Sequence, residues 1–224
     1  MNIKYHDDLI QGSDEWKAAR CGLITASEMK LILTPTGKVA DNDKSRAHLY
    51  ELVAQRVNNY VEPSYVNDDM MRGTMDEPIA LNLYEQHYEL AQTCGFITNN
   101  KWGFTLGYSP DGVVGDGLVE IKSRKQRYQL ETIISNKVPD EYHLQIQTGL
   151  LVSEREWLDF ISYSGGMPMF VQRVLPDAET HERIIAACTA AEGKMLDMIA
   201  LYEQNVLNLK VKTTERTTDQ EIII

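Results

Sequence analysis

The sequence predicts an α/β fold, a central mixed β-sheet of about five strands flanked by helices. Three observations lead there. Two-residue alternation marks short apolar runs in the middle of the chain, most clearly Leu118-Val119-Glu120-Ile121-Lys122. Helical spacing dominates the earlier and later parts, as in Leu49, Leu52, Val53 and Val57. Between the last two strand-like runs, Gly165-Gly166 gives a hairpin signal.

Taken in order, Ser13 caps a short helix that runs to Arg20, and Gly22 ends it. Thr25 and Glu28 have capping-box spacing and predict a second helix start. Pro35 and Gly37 make a loop of Thr34 to Asn42, and an amphipathic helix follows over Asp43 to Tyr60. Pro63 breaks the chain before Asn67 to Met75, and a further helix is expected from Asp76 to Glu89. Strands are predicted over Gly95 to Thr98, Trp102 to Tyr108 and Leu118 to Lys122. Helices over Gln126 to Ser135 and Glu141 to Val152 flank Pro139. Strands over Trp157 to Ser164 and Met169 to Leu175 complete the sheet. A long helix from Asp177 to Leu207 turns Ile184, Cys188, Ala191, Met195, Met198 and Tyr202 inward. No repeat or linker divides the 224 residues, so one domain is expected over 1–224, with 212–224 as a flexible polar tail ending in Ile222-Ile223-Ile224.

Composition narrows the function. Hydrophobic residues are 43% and charged residues 25%, as in soluble globular chains. No apolar run approaches membrane-spanning length and the start lacks a signal-peptide layout, so no membrane role is expected. Cys21, Cys94 and Cys188 are too few and too scattered for a disulfide framework or an iron–sulfur cluster, which suits a reducing cytoplasm. A net charge of −11 argues against a broad nucleic-acid-coating surface but leaves room for a local basic groove. Lys122, Arg124, Lys125 and Arg127 are the candidates for that groove.

The chemistry-bearing stretch is Ser109-Pro110-Asp111-Gly112 followed by Glu120-Ile121-Lys122. Pro110 and Gly112 form the turn that carries Asp111, and the strand period places Glu120 and Lys122 on one face. Two carboxylates brought together suit Mg²⁺, which takes one or two carboxylates plus water and substrate phosphate. An ammonium beside them can steer a nucleophile or stabilise phosphoryl charge. That is phosphodiester hydrolysis chemistry. The structural alternative is a turn-forming Asp followed by a solvated strand face.

Three further segments fit the same chemistry. Arg20, Ser27 and the N–H groups of a helix start could bind a phosphate, although capping alone explains Thr25 and Ser27. Glu77 could approach the metal, although an acid before Pro78 is also ordinary at a helix start. Gln145 can position water or the DNA backbone, while His143 reads as a satisfied surface histidine.

Joined in order, R-x-G-x-x-T-A-S (Arg20 to Ser27), G-x-x-x-E (Gly73 to Glu77), S-P-D-G, E-x-K and Y-x-x-Q-x-Q (Tyr142 to Gln147) resemble the bacteriophage lambda exonuclease family, the YqaJ-like alkaline exonucleases and viral recombinases of the PD-(D/E)xK nuclease superfamily. The resemblance implies a restriction-endonuclease-like core. It implies a Mg²⁺-dependent 5′→3′ exodeoxyribonuclease, with Mn²⁺ able to substitute, that degrades one strand from double-stranded DNA ends and releases 5′ mononucleotides. The remaining 3′ single strand would pass to a single-strand annealing protein. A homotrimeric ring, phage or prophage encoded and working in the bacterial cytoplasm, is also implied.

By the same resemblance, Asp111, Glu120 and the Ile121 carbonyl hold the metal, Lys122 is the catalytic lysine, and Glu77 and Gln145 assist. Arg20, Ser27 and Ser109 hold the 5′ phosphate of the DNA. The family's further phosphate-binding Arg aligns with Tyr128, so the preceding Arg127 takes that place. Met70 stands where the family carries an apolar wedge that frays the duplex end. A restriction- or repair-type endonuclease is the alternative activity. An inactive DNA-binding module is the other, and intact Asp111, Glu120 and Lys122 argue against it.

Overall fold

The computed structural model describes residues 2–63 and 67–216. Residues 212–216 are exposed and carry no regular structure, while 217–224, including Ile222-Ile223-Ile224, lie outside the described residues.

The fold is mixed α/β, with two four-stranded sheets where about five strands are expected in one. The first sheet contains β1 (Ile3–His6), β2 (Ile24–Thr25), β3 (Phe96–Asn99) and β4 (Leu106–Tyr108), in the order β1-β3-β4-β2. The second runs β5 (Gly112–Val114), β6 (Gly117–Ser123), β7 (Trp157–Tyr163) and β8 (Phe170–Val174), in that order. Strands β6 and β7 are parallel, so the chain must cross over between them. It does so through α4 (Gln126–Ser135) and α5 (His143–Ser153). Ser109-Pro110-Asp111 is therefore the link between the two sheets, and the Asp111 N–H donates to the Val119 carbonyl at 3.1 Å.

The additional strands are short, which hides them from a periodicity reading. Strand β5 has three residues and joins β6 through Gly115-Asp116, where Gly115 takes φ +50°. Glycine supplies that left-handed conformation without strain. The strand expected over Trp102 to Tyr108 begins only at Leu106, because Gly103 sits at φ +84° and breaks it. Trp102 and Phe104 instead pack on the core as a tilted pair 6.3 Å apart.

Helices α1 (Asp14–Arg20), α2 (Asp43–Asn58) and α6 (Ala178–Val206) follow their patterns closely. Ser13 caps α1 by accepting from the Trp16 N–H at 3.2 Å. Ile184, Cys188, Ala191 and Met195 are buried on α6, but Tyr202 is exposed, since the last turns of the helix outrun the core. Two helix predictions need correction. Ala26–Leu31 is a 3₁₀ helix, and Thr25 makes no backbone cap because its hydroxyl is engaged elsewhere. Asn67 to Met75 and Asp76 to Glu89 are not separate: α3 runs unbroken from Asp68 to His87, with Pro78 inside it. Asn67 caps this helix by accepting from the Met70 N–H at 2.9 Å.

Helix α3 is fixed to the second sheet at two places. The Ser123 hydroxyl of β6 donates to Asp76 and accepts from Arg72 Nε at 3.0 Å. Farther along, the buried Tyr84 hydroxyl donates to Asp159 of β7 at 2.8 Å. Arg173 closes the same carboxylate with two bonds of 2.9 Å. Glu77 lies between these fastenings, so its placement over β6 is set by the sheet.

Candidate active site

Glu120 is only 2% exposed, and burying a carboxylate requires donors. It has three. Tyr108 Oη donates to Oε2 at 2.8 Å, and Gln145 Nε2 donates to Oε1 at 2.6 Å. Lys122 Nζ pairs with Oε1 at 2.6 Å. Strand alternation on β6 puts Glu120 and Lys122 on one face, and α5 brings Gln145 onto it. Asp111 reaches the same strand from the inter-sheet link, with Oδ2 accepting from the Ile121 N–H at 2.6 Å and Oδ1 left open.

The electrostatics follow from crowding acids into a buried site. Burial, then the charges of Glu120 and Glu77, push the Asp111 carboxyl well above the usual range. Burial and then Glu120 also raise Glu77, with Lys122 offsetting part of the rise. Burial opposes the charge on Lys122, yet Glu120 and Asp111 together hold its pKa above the ordinary lysine value. Lys122 is thus a fixed cation. Burial first, and then Glu120, hold the Tyr108 hydroxyl protonated as a donor.

Acids that raise one another in this way form a place where a cation is favoured. Among the described residues no three His, Cys, Asp or Glu side chains form a ready metal cage. The donor set is all oxygen and supplies few protein ligands, which fits Mg²⁺ with its retained waters better than Zn²⁺.

A second cluster forms where α1, β2 and the inter-sheet link meet. Arg20 donates to Ser109 Oγ and to Thr25 Oγ1, both at 3.3 Å, and its guanidinium lies 4.2 Å from the Trp16 ring centre. Trp16 Nε1 also donates to Ser109 Oγ at 2.9 Å. Thr25 Oγ1 lies 3.3 Å from Ser27 Oγ and donates to Glu28 at 3.0 Å. Ser27, Lys30, Tyr142 and Gln145 line one cleft of about 50 Å³. Of the hydroxyl and guanidinium cluster, Ser27 alone reaches this cleft, where it shares the lining with Gln145, the donor to Glu120.

Sequence reasoning placed Asp111, Glu120, Lys122, Gln145, Arg20, Ser27 and Ser109 in two groups, and the structure brings each group together. Three expectations differ. Arg127 is not in the Arg20–Ser109 cluster: it is exposed, lies 4.4 Å from the Tyr128 ring, and makes no hydrogen bond to Arg20, Ser27 or Ser109. The run from Lys122 to Arg127 is not a free basic groove either. Lys122 is taken by Glu120, Arg124 by Glu141 and Lys125 by Asp69. Glu77 is a mid-helix residue, so helix-start capping does not account for it. Met70 is 48% exposed in the first turn of α3. His143 approaches Thr180 Oγ1 at 3.4 Å, as a satisfied histidine should. The residues missed were Trp16 and Tyr108, while Arg124 is expected in a basic groove and is instead buried against Glu141 and Tyr142. Only Tyr108, two residues before Pro110, carried a positional hint.

A family model described as the YqaJ-like viral recombinase domain matches residues 15–156, more than half the chain. Among solved structures, the chain is similar to an alkaline exonuclease (LHK-Exo) from Laribacter hongkongensis, with a TM-score of 0.78 and 29% identity over 87% of this chain and 98% of that one. LHK-Exo in complex with dAMP matches with a TM-score of 0.73 and 31% identity over 86% of this chain and 100% of that one. A phage-related exonuclease from Haemophilus somnus 129PT shares the fold, with a TM-score of 0.60 at 13% identity over 80% of this chain and 96% of that one. No curated protein matches the sequence.

Proposed function

This chain belongs to the YqaJ-like viral recombinase family and is a nuclease, and on that premise we propose that it is a Mg²⁺-dependent 5′→3′ exodeoxyribonuclease acting on duplex DNA ends. The observation that carries the proposal is the shared cleft. Ser27, within 3.3 Å of Thr25 in the Arg20–Thr25–Ser109 cluster, lines one cleft with Gln145, the side chain that holds Glu120. A group that grips a terminal phosphate beside a hydrolytic centre measures the cut from a 5′ end.

Each residue has a derivable task. Glu120 is locked in orientation by Tyr108 and Gln145, so its charge is aimed before substrate arrives. Asp111 is set by the Ile121 N–H with Oδ1 open to the site. Lys122, held charged, orients the attacking water and offsets the charge that builds on the phosphoryl oxygens. Glu77 adds a carboxylate from α3, and Arg20 with Ser27 and Ser109 holds the 5′ phosphate. Mg²⁺ held by Asp111, Glu120 and the Ile121 carbonyl would polarise the scissile phosphoryl group and lower the pKa of a bound water. The dAMP bound by LHK-Exo is a nucleoside monophosphate, the product class that this cleavage would release.

The 3′ strand left behind would suit a single-strand annealing protein. A −11 chain holds DNA poorly on its outside, so a homotrimeric ring with a basic inner wall reconciles charge with repeated cutting. Light scattering near three 25.5 kDa chains supports the ring, and a single-chain mass removes it. The function itself is tested by digestion of matched duplexes with 5′-phosphate or 5′-hydroxyl ends. Phosphorylated ends should be consumed much faster, and Arg20→Ala should shrink the difference. Equal rates from both ends would contradict the reading.

A further inference from the structure

Arg124 directly follows the last residue of β6, Ser123, and shares the Tyr142 ring with Lys122, yet it serves no carboxylate of the hydrolytic centre. It is only 7% exposed, with its guanidinium carbon 5.1 Å from the Tyr128 ring centre and 5.2 Å from that of Tyr142. Nη1 donates to Glu141 and to the Tyr142 hydroxyl, both at 2.6 Å. Nε is buried with no partner. A guanidinium carries five N–H donors in a fixed fork, so this one is buried with its donors underused.

Its carboxylate partner is weakly held. The Glu141 side chain is 62% exposed, sits in the 3₁₀ turn Asp140–Tyr142, and meets the guanidinium through one nitrogen. Glu141 and Tyr142 also line the cleft that contains Ser27 and Lys30. A carboxylate and a phosphate present similar paired oxygens to a guanidinium. A phosphate entering this cleft meets the Ser27 hydroxyl on one wall and the partners of Arg124 on the other.

We propose that Glu141 is a built-in phosphate mimic: without DNA it occupies the edge of Arg124 that the 5′-terminal phosphate of the substrate takes in the complex. The proposal rests on the nuclease reading above and assigns to Arg124 the phosphate contact that sequence register gave to Arg127. Glu141 keeps the buried cation paired while the site is empty and swings to solvent when phosphate arrives. Its price is affinity, since every binding event must displace it.

The test is a gain of function on a surface residue. Binding of end-labelled duplex is read by fluorescence anisotropy in chelator, so that nothing is cut. Glu141→Gln should bind 5′-phosphorylated duplex about tenfold tighter than the unmodified protein, with a smaller gain for 5′-hydroxyl duplex. Asp140→Asn removes the same charge one residue away and should change affinity less than about twofold. The gain should vanish when Glu141→Gln is combined with Arg124→Lys, which keeps the charge but loses the fork. If Arg124→Lys fails to melt cooperatively, the comparison of Glu141→Gln with Asp140→Asn decides alone. Unchanged affinity in Glu141→Gln, an equal gain in Asp140→Asn, or a gain that survives Arg124→Lys would each overturn the mimic. A protein that binds neither duplex overturns the nuclease reading together with it.

Discussion

Replacing Tyr108 by Phe tests the electrostatic design of the site without touching a charged residue. Tyr108 is 1% exposed, and among the described residues its hydroxyl is the one donor that reaches Glu120 Oε2. The ring stays and no cavity larger than an oxygen atom opens. What is lost is one charge-assisted hydrogen bond to a buried carboxylate, worth about 1.5–3 kcal/mol. For a chain of this size each kcal/mol moves the melting temperature by about 2–4 °C, so Tyr108→Phe should melt about 3–12 °C lower in metal-free buffer. Gln145 and Lys122 both hold Oε1, so the carboxylate keeps its place but loses its torsional lock. The turnover rate on duplex ends should fall with it. Differential scanning fluorimetry and a single-turnover digestion read the two effects. A melting temperature unchanged within error would mean that Glu120 is not desolvated as described, and the account of its orientation would fail.

Lys122→Ala should lower cleavage on the order of 10²–10³-fold while retaining a cooperative melt, and near-normal turnover would refute its assigned task. Gly117 faces Trp157 across β6 and β7, and a Cβ there would lie 2.2 Å from the indole. Gly117→Ala should therefore cost about 1–3 kcal/mol by overpacking, read by urea denaturation, with no change in metal dependence. Burial pushes the Cys94 and Cys188 thiols up to about 12. A thiol with a raised pKa stays protonated until pH approaches that value, so at pH 8 both should resist alkylation in the native protein. Half-buried Cys21 should label first, as mass spectrometry of tryptic peptides would show.

The parts of the fold legible in the sequence were those whose signal is periodic and local. Helices α2 and α6, strand β6 and the β7–β8 hairpin all declare themselves within about ten residues. Strands β1, β2 and β5 have two to four residues each and exist only because partners distant in sequence complete them. Pro78 suggested a helix start near Asp76, but α3 begins at Asp68 and packing against β6 and β7 carries it through the proline. The acids and Lys122 were visible because their spacing on a strand fixes their face. Trp16 and Tyr108 were not, and Arg124 was visible only as a charge, since their importance lies in what they touch across 12 or more residues of chain or through a neighbouring aromatic face. Arg127 shows the complementary error: near-correct register in sequence, but a side chain that leans on Tyr128 at the surface.

The central claim is that Asp111, Glu120 and Lys122 cut duplex DNA inward from a 5′ end, and product analysis tests it most directly. A linear duplex carrying a 5′-terminal label, incubated with Mg²⁺, should release the label first as a deoxynucleoside 5′-monophosphate. Covalently closed circular DNA should stay intact, and Asp111→Ala should release nothing. Label appearing first in longer oligonucleotides, or linearisation of the closed circle, would contradict the account.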